Sequence, residues 1–218
     1  QISGTVIFGE KTVINGNGYK IESYGDLIFN GGAAEINENI INNATLGYRD
    51  GFFEINNFKV NESEIQPATG NSIKGNFILQ NSIIVSPKEY TYLWYPTGTV
   101  TIKNNSFLDI GDYFISILTR NADVLIDSNE FHDYKPALPR VDRPSLILNK
   151  VNYDDSKIEI SSNKFFEPGR EVVGFPGGYD GPFNISGSGN IIYSSTNKTA
   201  EDFCFDVEDD LNVSEDID

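Results

Sequence analysis

The sequence has no methionine, one cysteine, one histidine and one tryptophan in 218 residues. A single thiol, Cys204, excludes an internal disulfide framework and any zinc site built from cysteines. A single imidazole, His132, excludes histidine-rich metal centres and leaves one candidate for histidine base chemistry. Positive charge is scarce as well: Lys plus Arg total 16 against 32 for Asp plus Glu, a formal net charge of −16. Electrostatic capture of nucleic acid or of anionic lipid needs clustered positive charge, so neither is expected as a partner. No apolar run approaches the roughly 18 residues of a spanning helix, so membrane insertion is not expected. The missing methionine, with Gln1 at the start, leads to the expectation of a processed protein or an excised domain.

What is present indicates a folded chain organised by a repeat. Hydrophobic residues make up 39 % and aromatics 12 %, enough for a core and too much for a disordered segment. Three segments share the form Ile-x-x-Asn-x-Phe: Ile102 to Phe107, Ile126 to Phe131 and Ile160 to Phe165. A fourth, Ile78 to Ile83, keeps the pattern with Ile in the last place. Asn57, Asn81, Asn105 and Asn129 follow one another at intervals of 24 residues. The step from Asn129 to Asn163 is 34, and the Pro-rich stretch 135–144 accounts for the surplus. Asn17, Asn39 and Asn190 read as weaker members. A fixed period of this size means one structural unit stacked on the next.

The unit reads as strands. No window shows helical periodicity, whereas short alternating runs such as Val100-Thr-Ile-Lys and Val124-Leu-Ile-Asp are punctuated by Asn, Gly, Asp and Pro. Three short strands and their turns consume one period. Leucine-rich repeats and propeller blades are excluded by composition and by period length. The expected fold is all-β: a chain coiling through three parallel sheets, each coil rising one strand spacing of about 4.8 Å. Residues 1–200 form this domain, and 201–218, with nine acids and no Lys or Arg, form an acidic cap or tail.

The Ile-x-x-Asn-x-Phe units and the opening Val13-Ile-Asn-Gly-Asn-Gly-Tyr-Lys-Ile21 resemble right-handed parallel β-helix proteins of the pectin-lyase-like superfamily, in the style of its surface adhesins and tailspikes. The resemblance covers roughly residues 4 to 195. It implies a single-stranded right-handed parallel β-helix of about eight or nine coils with an Asn ladder. That superfamily mixes lyases, hydrolases, tailspikes and adhesins, so the fold alone does not assign an activity. The Asn-Thr-Asp and His-Gly motifs of polygalacturonase-like hydrolases are missing, and the calcium cluster of pectate-lyase-like enzymes has no full match.

Two constellations could carry chemistry. Asp109, Asp133 and Glu167 each lie four residues after a ladder Asn, so adjacent coils would set these carboxylates about 5 Å apart. Such a set could work as acid and nucleophile on a glycoside or share a calcium ion, or it could be a solvated ladder of turn acids. His132 stands where neighbouring coils carry Leu108 and Phe166, and either it or Lys150 would be the base of an enzyme. The second constellation aligns Tyr92-Leu-Trp-Tyr-Pro96, Ser116-Ile-Leu-Thr-Arg120 and Leu146-Ile-Leu-Asn-Lys150. Leu93, Ile117 and Ile147 would face inward, while Tyr92, Trp94, Leu118, Leu146 and Leu148 face outward below stacked Arg120 and Lys150. Such an apolar face is covered by the chain itself, forms a homo-oligomer interface, or, through Tyr92, Trp94, Arg120 and Lys150, offers a platform for an acidic glycan.

In the tail, Phe203, Cys204, Phe205, Val207 and Leu211 suggest a capping strand. Six Asn-x-Ser/Thr sequons occur, at Asn43, Asn61, Asn104, Asn184, Asn197 and Asn212. The resemblance places the protein outside the cell, on a cell surface or on a virion. The functional expectation is a non-catalytic module for adhesion or polysaccharide binding within a larger protein, with no cofactor other than a calcium ion at the three acids. The alternatives are a lyase or hydrolase acting on an acidic polysaccharide, and a purely structural trimerising segment.

Overall fold

The computed structural model describes residues 4–48, 51–67, 76–85, 91–94, 98–108, 115–119, 122–132, 146–150, 156–166, 173–174, 184–193 and 214–217. Through these the chain visits three faces in turn, laying one short strand on each before repeating the circuit. The first face stacks Val6–Phe8, Leu27–Asn30, Phe53–Asn56, Phe77–Gln80, Thr99–Lys103, Asp123–Asp127, Lys157–Ser161 and Asn184–Tyr193. The second stacks Val13–Asn15, Ile40–Asn42, Lys59–Asn61, Ile83–Val85, Ser106–Leu108, Glu130–Phe131 and Lys164–Phe166. Neighbouring strands pair in parallel throughout, as the coil requires. The protein is a parallel β-solenoid, and its one described helical element is a 3-10 turn at Ile36–Glu38.

On the third face the described strands make two ladders. Lys20–Ser23, Thr45–Tyr48 and Glu64–Pro67 make one, and Thr91–Trp94, Ile115–Thr119, Leu146–Lys150 and Val173–Gly174 the other. Among the described residues, coils with a strand on all three faces are fewer than the eight or nine expected. Coil length is not constant. In the register, Phe77 pairs with Val100 at a step of 23 and Val124 with Ile158 at a step of 34.

Alternation along each strand builds the core. On the first face Leu27, Phe53, Phe77, Val100, Val124 and Ile158 stack in one inward column, and Phe29, Ile55, Leu79, Ile102, Ile126 and Ile160 in the next; all are buried. The second face contributes Ile41, Val60, Ile84, Phe107, Phe131 and Phe165. The Phe107 and Phe131 rings stack at 4.9 Å and the Phe131 and Phe165 rings at 4.8 Å, so the Phe of the repeat unit forms a continuous column. Burying each such side chain stabilises the fold by about 1.5–3 kcal/mol relative to leaving it in water.

The corner between the first and second faces turns on two residues, and each has its own column. The outer residue is left-handed: Asn57, Asn81, Asn104, Ser128 and Ser162 have φ between 51° and 57°. Asn tolerates this conformation better than other non-glycine residues. The inner residue is buried and forms the ladder. Asn105, Asn129 and Asn163 are at most 1 % exposed. The Asn129 carboxamide oxygen accepts from Asn105 N and Nδ2, both at 3.0 Å, while Asn129 Nδ2 donates to Ile102 O at 2.8 Å and Asn163 Oδ1 at 3.0 Å. Asn163 bonds onward to Asn190 in the same way. Each side chain thus satisfies backbone groups that the bend leaves without a strand partner.

The ladder corrects the sequence-based alignment in one respect. Asn57 and Asn81 belong to the outer column, in register with Asn104, and the inner place of their coils is held by Phe58 and Ser82. Ser82 N donates to Asn105 Oδ1 at 3.0 Å, and Ser82 Oγ accepts from Phe58 N at 3.2 Å, so a hydroxyl continues the ladder by one coil. Asn81 instead takes part in an exposed row, where Asn104 donates to Asn81, Asn81 to Asn56 and Asn56 to Asn30. Asn39 and Asn190 take the inner place as expected, whereas Asn17 lies at a different corner, alongside left-handed Asn43 and Glu62.

At the far end the chain runs unbroken as Asn184–Tyr193 from the first face onto the second, pairing with both Lys157–Ser161 and Lys164–Phe166. Ser214–Ile217 pairs in parallel on its outer edge. The described capping strand is therefore Ser214–Ile217; residues 203–211 lie outside the described residues.

Candidate functional site

The outward side of the second face carries the densest grouping of functional side chains among the described residues. Strand alternation produces it. Phe131, Phe165 and Ile192 share a register position, so the flanking residues form two outward rows: Glu130, Lys164 and Ile191, and His132, Phe166 and Tyr193. His132 N donates to Phe107 O at 2.8 Å, which extends the ladder past the strand end and fixes the start of the ring.

The second row is a stack of rings. His132 lies on Phe166 with centroids 4.1 Å apart and planes 9° from parallel, and Phe166 lies on Tyr193 at 4.6 Å and 7°. The stacking direction is the coil axis. Phe166 therefore has both faces covered, and the stack offers solvent its edges and the polar tips of its outer members. Cross-strand aromatic pairs of this kind contribute roughly 0.2–1 kcal/mol each.

The first row supplies charge. Glu130 is engaged at both carboxylate oxygens: Lys164 Nζ donates to Oε1 at 2.9 Å and His132 Nε2 donates to Oε2 at 3.1 Å. A carboxylate only accepts, so the imidazole nitrogen facing it carries the proton. The hydrogen bond from Lys164, followed by that from His132, holds the Glu130 carboxyl below its ordinary range. The same bond with Glu130 pushes the Lys164 ammonium up. The side chains of Glu130, His132 and Lys164 are 38 %, 30 % and 43 % exposed. The group is thus wet enough to exchange partners with an incoming ligand, and its ion pairs add little to stability. Chemically, an ionised Glu130 accepts hydroxyl hydrogen bonds, Lys164 donates, and the acid-oriented His132 is the one imidazole of the group, with the Tyr193 phenol at the far end of the stack.

Of the residues expected from the sequence, only His132 belongs to this group. Asp109, Asp133, Glu167 and Arg120 lie outside the described residues. Among the described residues no cluster of three His, Cys, Asp or Glu side chains could hold a metal ion. Tyr92, Trp94 and Lys150 lie on third-face strands, and there the register corrects the expected alignment. Tyr92 and Ser116 share a position with Ile147, whereas Leu146 and Leu148 pair with Ile115 and Ile117, both of which are buried. Lys150 pairs with Thr119, one place short of Arg120. A slip of one residue exchanges the two sides of a strand.

Sequence reasoning missed Glu130, Lys164, Phe166 and Tyr193 as a group. The signal was present: they stand one and three residues after the ladder Asn129, Asn163 and Asn190. No family model matches the chain, and neither a curated protein nor a solved structure matches it.

Proposed function

We propose that the chain is a non-catalytic binding module, a β-helix of the pectin-lyase-like kind serving adhesion or polysaccharide binding on an extracellular, cell or virion surface. The observation that supports this reading most is the paired outward row of Glu130, Lys164, His132, Phe166 and Tyr193. It runs along the coil axis, as an extended polymer would lie, and it offers acceptor and donor groups in alternation beside ring edges. Glu130 is held ionised by two donors, which suits it to accepting sugar hydroxyls and unsuits it to protonating a leaving group. The third-face platform of Tyr92, Trp94, Arg120 and Lys150 belongs to the same proposal as a second contact area.

The rival reading is a lyase or hydrolase acting on an acidic polysaccharide, with Asp109, Asp133 or Glu167 beside a base. It draws support from the Glu130–His132 contact, because a carboxylate that fixes an imidazole's tautomer is a recurring arrangement in base catalysis. One experiment separates the two. A panel of neutral and acidic polysaccharides is tested for retention on immobilised protein and, in parallel, for unsaturated products and new reducing ends. Retention without products, weakened by salt and by Lys164→Ala, is the expected result. Product formation that His132→Ala abolishes would establish the enzyme instead. Trp94→Ala tests the platform, and unchanged retention would remove it from the proposal.

A further inference from the structure

We propose that the three Asn-Gly pairs of the chain, at 15–16, 17–18 and 30–31, are latent modification sites: closed to succinimide formation while the coils are stacked, and opened as each coil parts from the one that follows it. Asn-Gly is the most labile peptide pair toward spontaneous deamidation. The glycine amide nitrogen attacks the asparagine side-chain carbonyl carbon, and a new C–N bond closes a five-membered ring. The Cγ–Nδ2 bond breaks, and ammonia departs with the proton given up by the glycine amide. Water then opens the ring at either carbonyl, leaving aspartate or isoaspartate. Overall, one water is consumed and one ammonia released, and no other reactant is needed.

The reaction requires a glycine N–H free to lose its proton and to swing toward its neighbour's side chain. In this fold all three are committed to the next coil. Gly16 N donates to Asn42 O at 2.8 Å, Gly18 N to Asn43 O at 2.7 Å and Gly31 N to Asn56 O at 2.9 Å. Two of the side chains under attack are also held: Asn15 Oδ1 accepts from Asn42 Nδ2 at 3.0 Å, and Asn30 Oδ1 accepts from Gly32 N at 3.0 Å. The three glycine N–H bonds and the bond on Asn15 cross to the following coil, and only the Gly32 bond to Asn30 lies within the local turn, so protection rests mainly on stacking.

The structure also accounts for two of these labile pairs, 15–16 and 30–31, being present. A Cβ on Gly16 would stand 2.6 Å from both the Ala44 Cβ and Asn43 O, and one on Gly31 would meet Asn57 O and the Asn39 carboxamide. The next coil comes too close for any side chain at either place. The preceding Asn15 and Asn30 belong to the exposed Asn rows that tie the coils together. Packing thus requires the glycine and the row requires the asparagine, and the fold itself suppresses the chemistry their adjacency invites.

Because Gly16 and Gly18 lean on the second coil while Gly31 leans on the third, opening of the first coil exposes pairs 15–16 and 17–18 and leaves 30–31 protected. The test incubates the full chain at mildly alkaline pH, with and without enough urea to unfold it, and measures aspartate and isoaspartate at each pair by peptide mapping. The expected result is conversion at all three pairs in urea and at least about tenfold slower conversion in the folded protein, as protection by stacked structure requires. A second arm uses Ile14→Ala, which removes an inward side chain of the first coil. It should raise conversion at Asn15 and Asn17 well above that at Asn30 without denaturant. Conversion in the folded wild-type protein as fast as in urea, or an equal rise at all three pairs in the variant, would overturn the proposal. Should the variant fail to fold, the comparison of folded with urea-unfolded wild-type protein still decides whether stacking protects the pairs.

Discussion

Replacing Asn129 by Ala tests the ladder at its most connected member. The side chain is 0 % exposed. Its removal strips four hydrogen bonds: two accepted from Asn105, one donated to Ile102 O and one donated to Asn163 Oδ1. Some partners are compensated. Asn105 Nδ2 keeps its bond to Leu79 O, and Asn163 Oδ1 still accepts from Asn129 N at 2.9 Å. The Asn105 backbone N–H has no such reserve and becomes an orphaned buried donor. Leaving a buried donor unsatisfied costs about 1–3 kcal/mol, and each further lost bond about 0.5–1.5 kcal/mol. The expected loss is therefore roughly 2.5–7.5 kcal/mol, a large share of the 5–15 kcal/mol typical of a domain. Urea unfolding measures it as a lowered midpoint with an unchanged slope. Asn104→Ala is the control, since Asn104 is exposed and its substitution mainly puts Ala in a left-handed conformation at a cost of about 1–2 kcal/mol. Equal losses for the two variants, or a loss under about 1 kcal/mol for Asn129→Ala, would refute the view that the inner column rather than the outer one carries the corner.

Three further outcomes are expected. Phe131→Ala, in the middle of the stacked rings, should lower stability by about 3–5 kcal/mol in the same urea assay, by transfer and cavity terms together. Ser128→Asn, which puts the residue best suited to a left-handed turn where Ser now sits and lengthens the outer Asn column, should raise stability by up to about 1 kcal/mol, read as a higher urea midpoint. The depressed Glu130 carboxyl means that its contribution is present above the unfolded value of about 4.3 and is lost as pH falls through the folded value. The raised Lys164 ammonium contributes below about 10.4, and that contribution is lost as pH climbs through its folded value. Glu130→Gln should therefore flatten both limbs of a stability-versus-pH curve, and a curve superimposable on wild type would contradict the pairing.

The fold was legible because the unit Ile-x-x-Asn-x-Phe records three columns at once, two apolar and one polar, and each is a buried position in the structure. What could not be read was which of two adjacent Asn stands inside. Asn is favoured both at the left-handed outer place and at the hydrogen-bonding inner one, so Asn104 and Asn105 look alike in sequence. A coil of 23 residues then brought Asn81 into false agreement with Asn105. Ser82 holds the inner place without resembling its neighbours. The register of Leu146–Lys150 was missed for a related reason, because Leu-Ile-Leu is apolar on both sides and its alternation does not choose between them. In the outward row, His132 was noticed for its rarity. Its partners Glu130, Lys164, Phe166 and Tyr193 are common residue types, and only the coil-to-coil spacing joins them.

Coil length varies while the ladder does not. Asn105 to Asn129 is 24 residues, Asn129 to Asn163 is 34 and Asn163 to Asn190 is 27, yet the backbone N to Oδ1 distances across these steps are 3.0, 2.9 and 3.0 Å. The corner behaves as a clasp that re-closes at the same point however much chain has passed since the last one. Insertions elsewhere in the circuit are thereby insulated from the register of the first two faces. A lineage, or an engineer, could lengthen the segment after Phe131 or after Phe165, or graft a foreign loop there, without asking the core to repack. Novelty in such a molecule would accumulate away from the clasp, and the Asn column would remain the most reliable landmark for aligning distant variants of the chain.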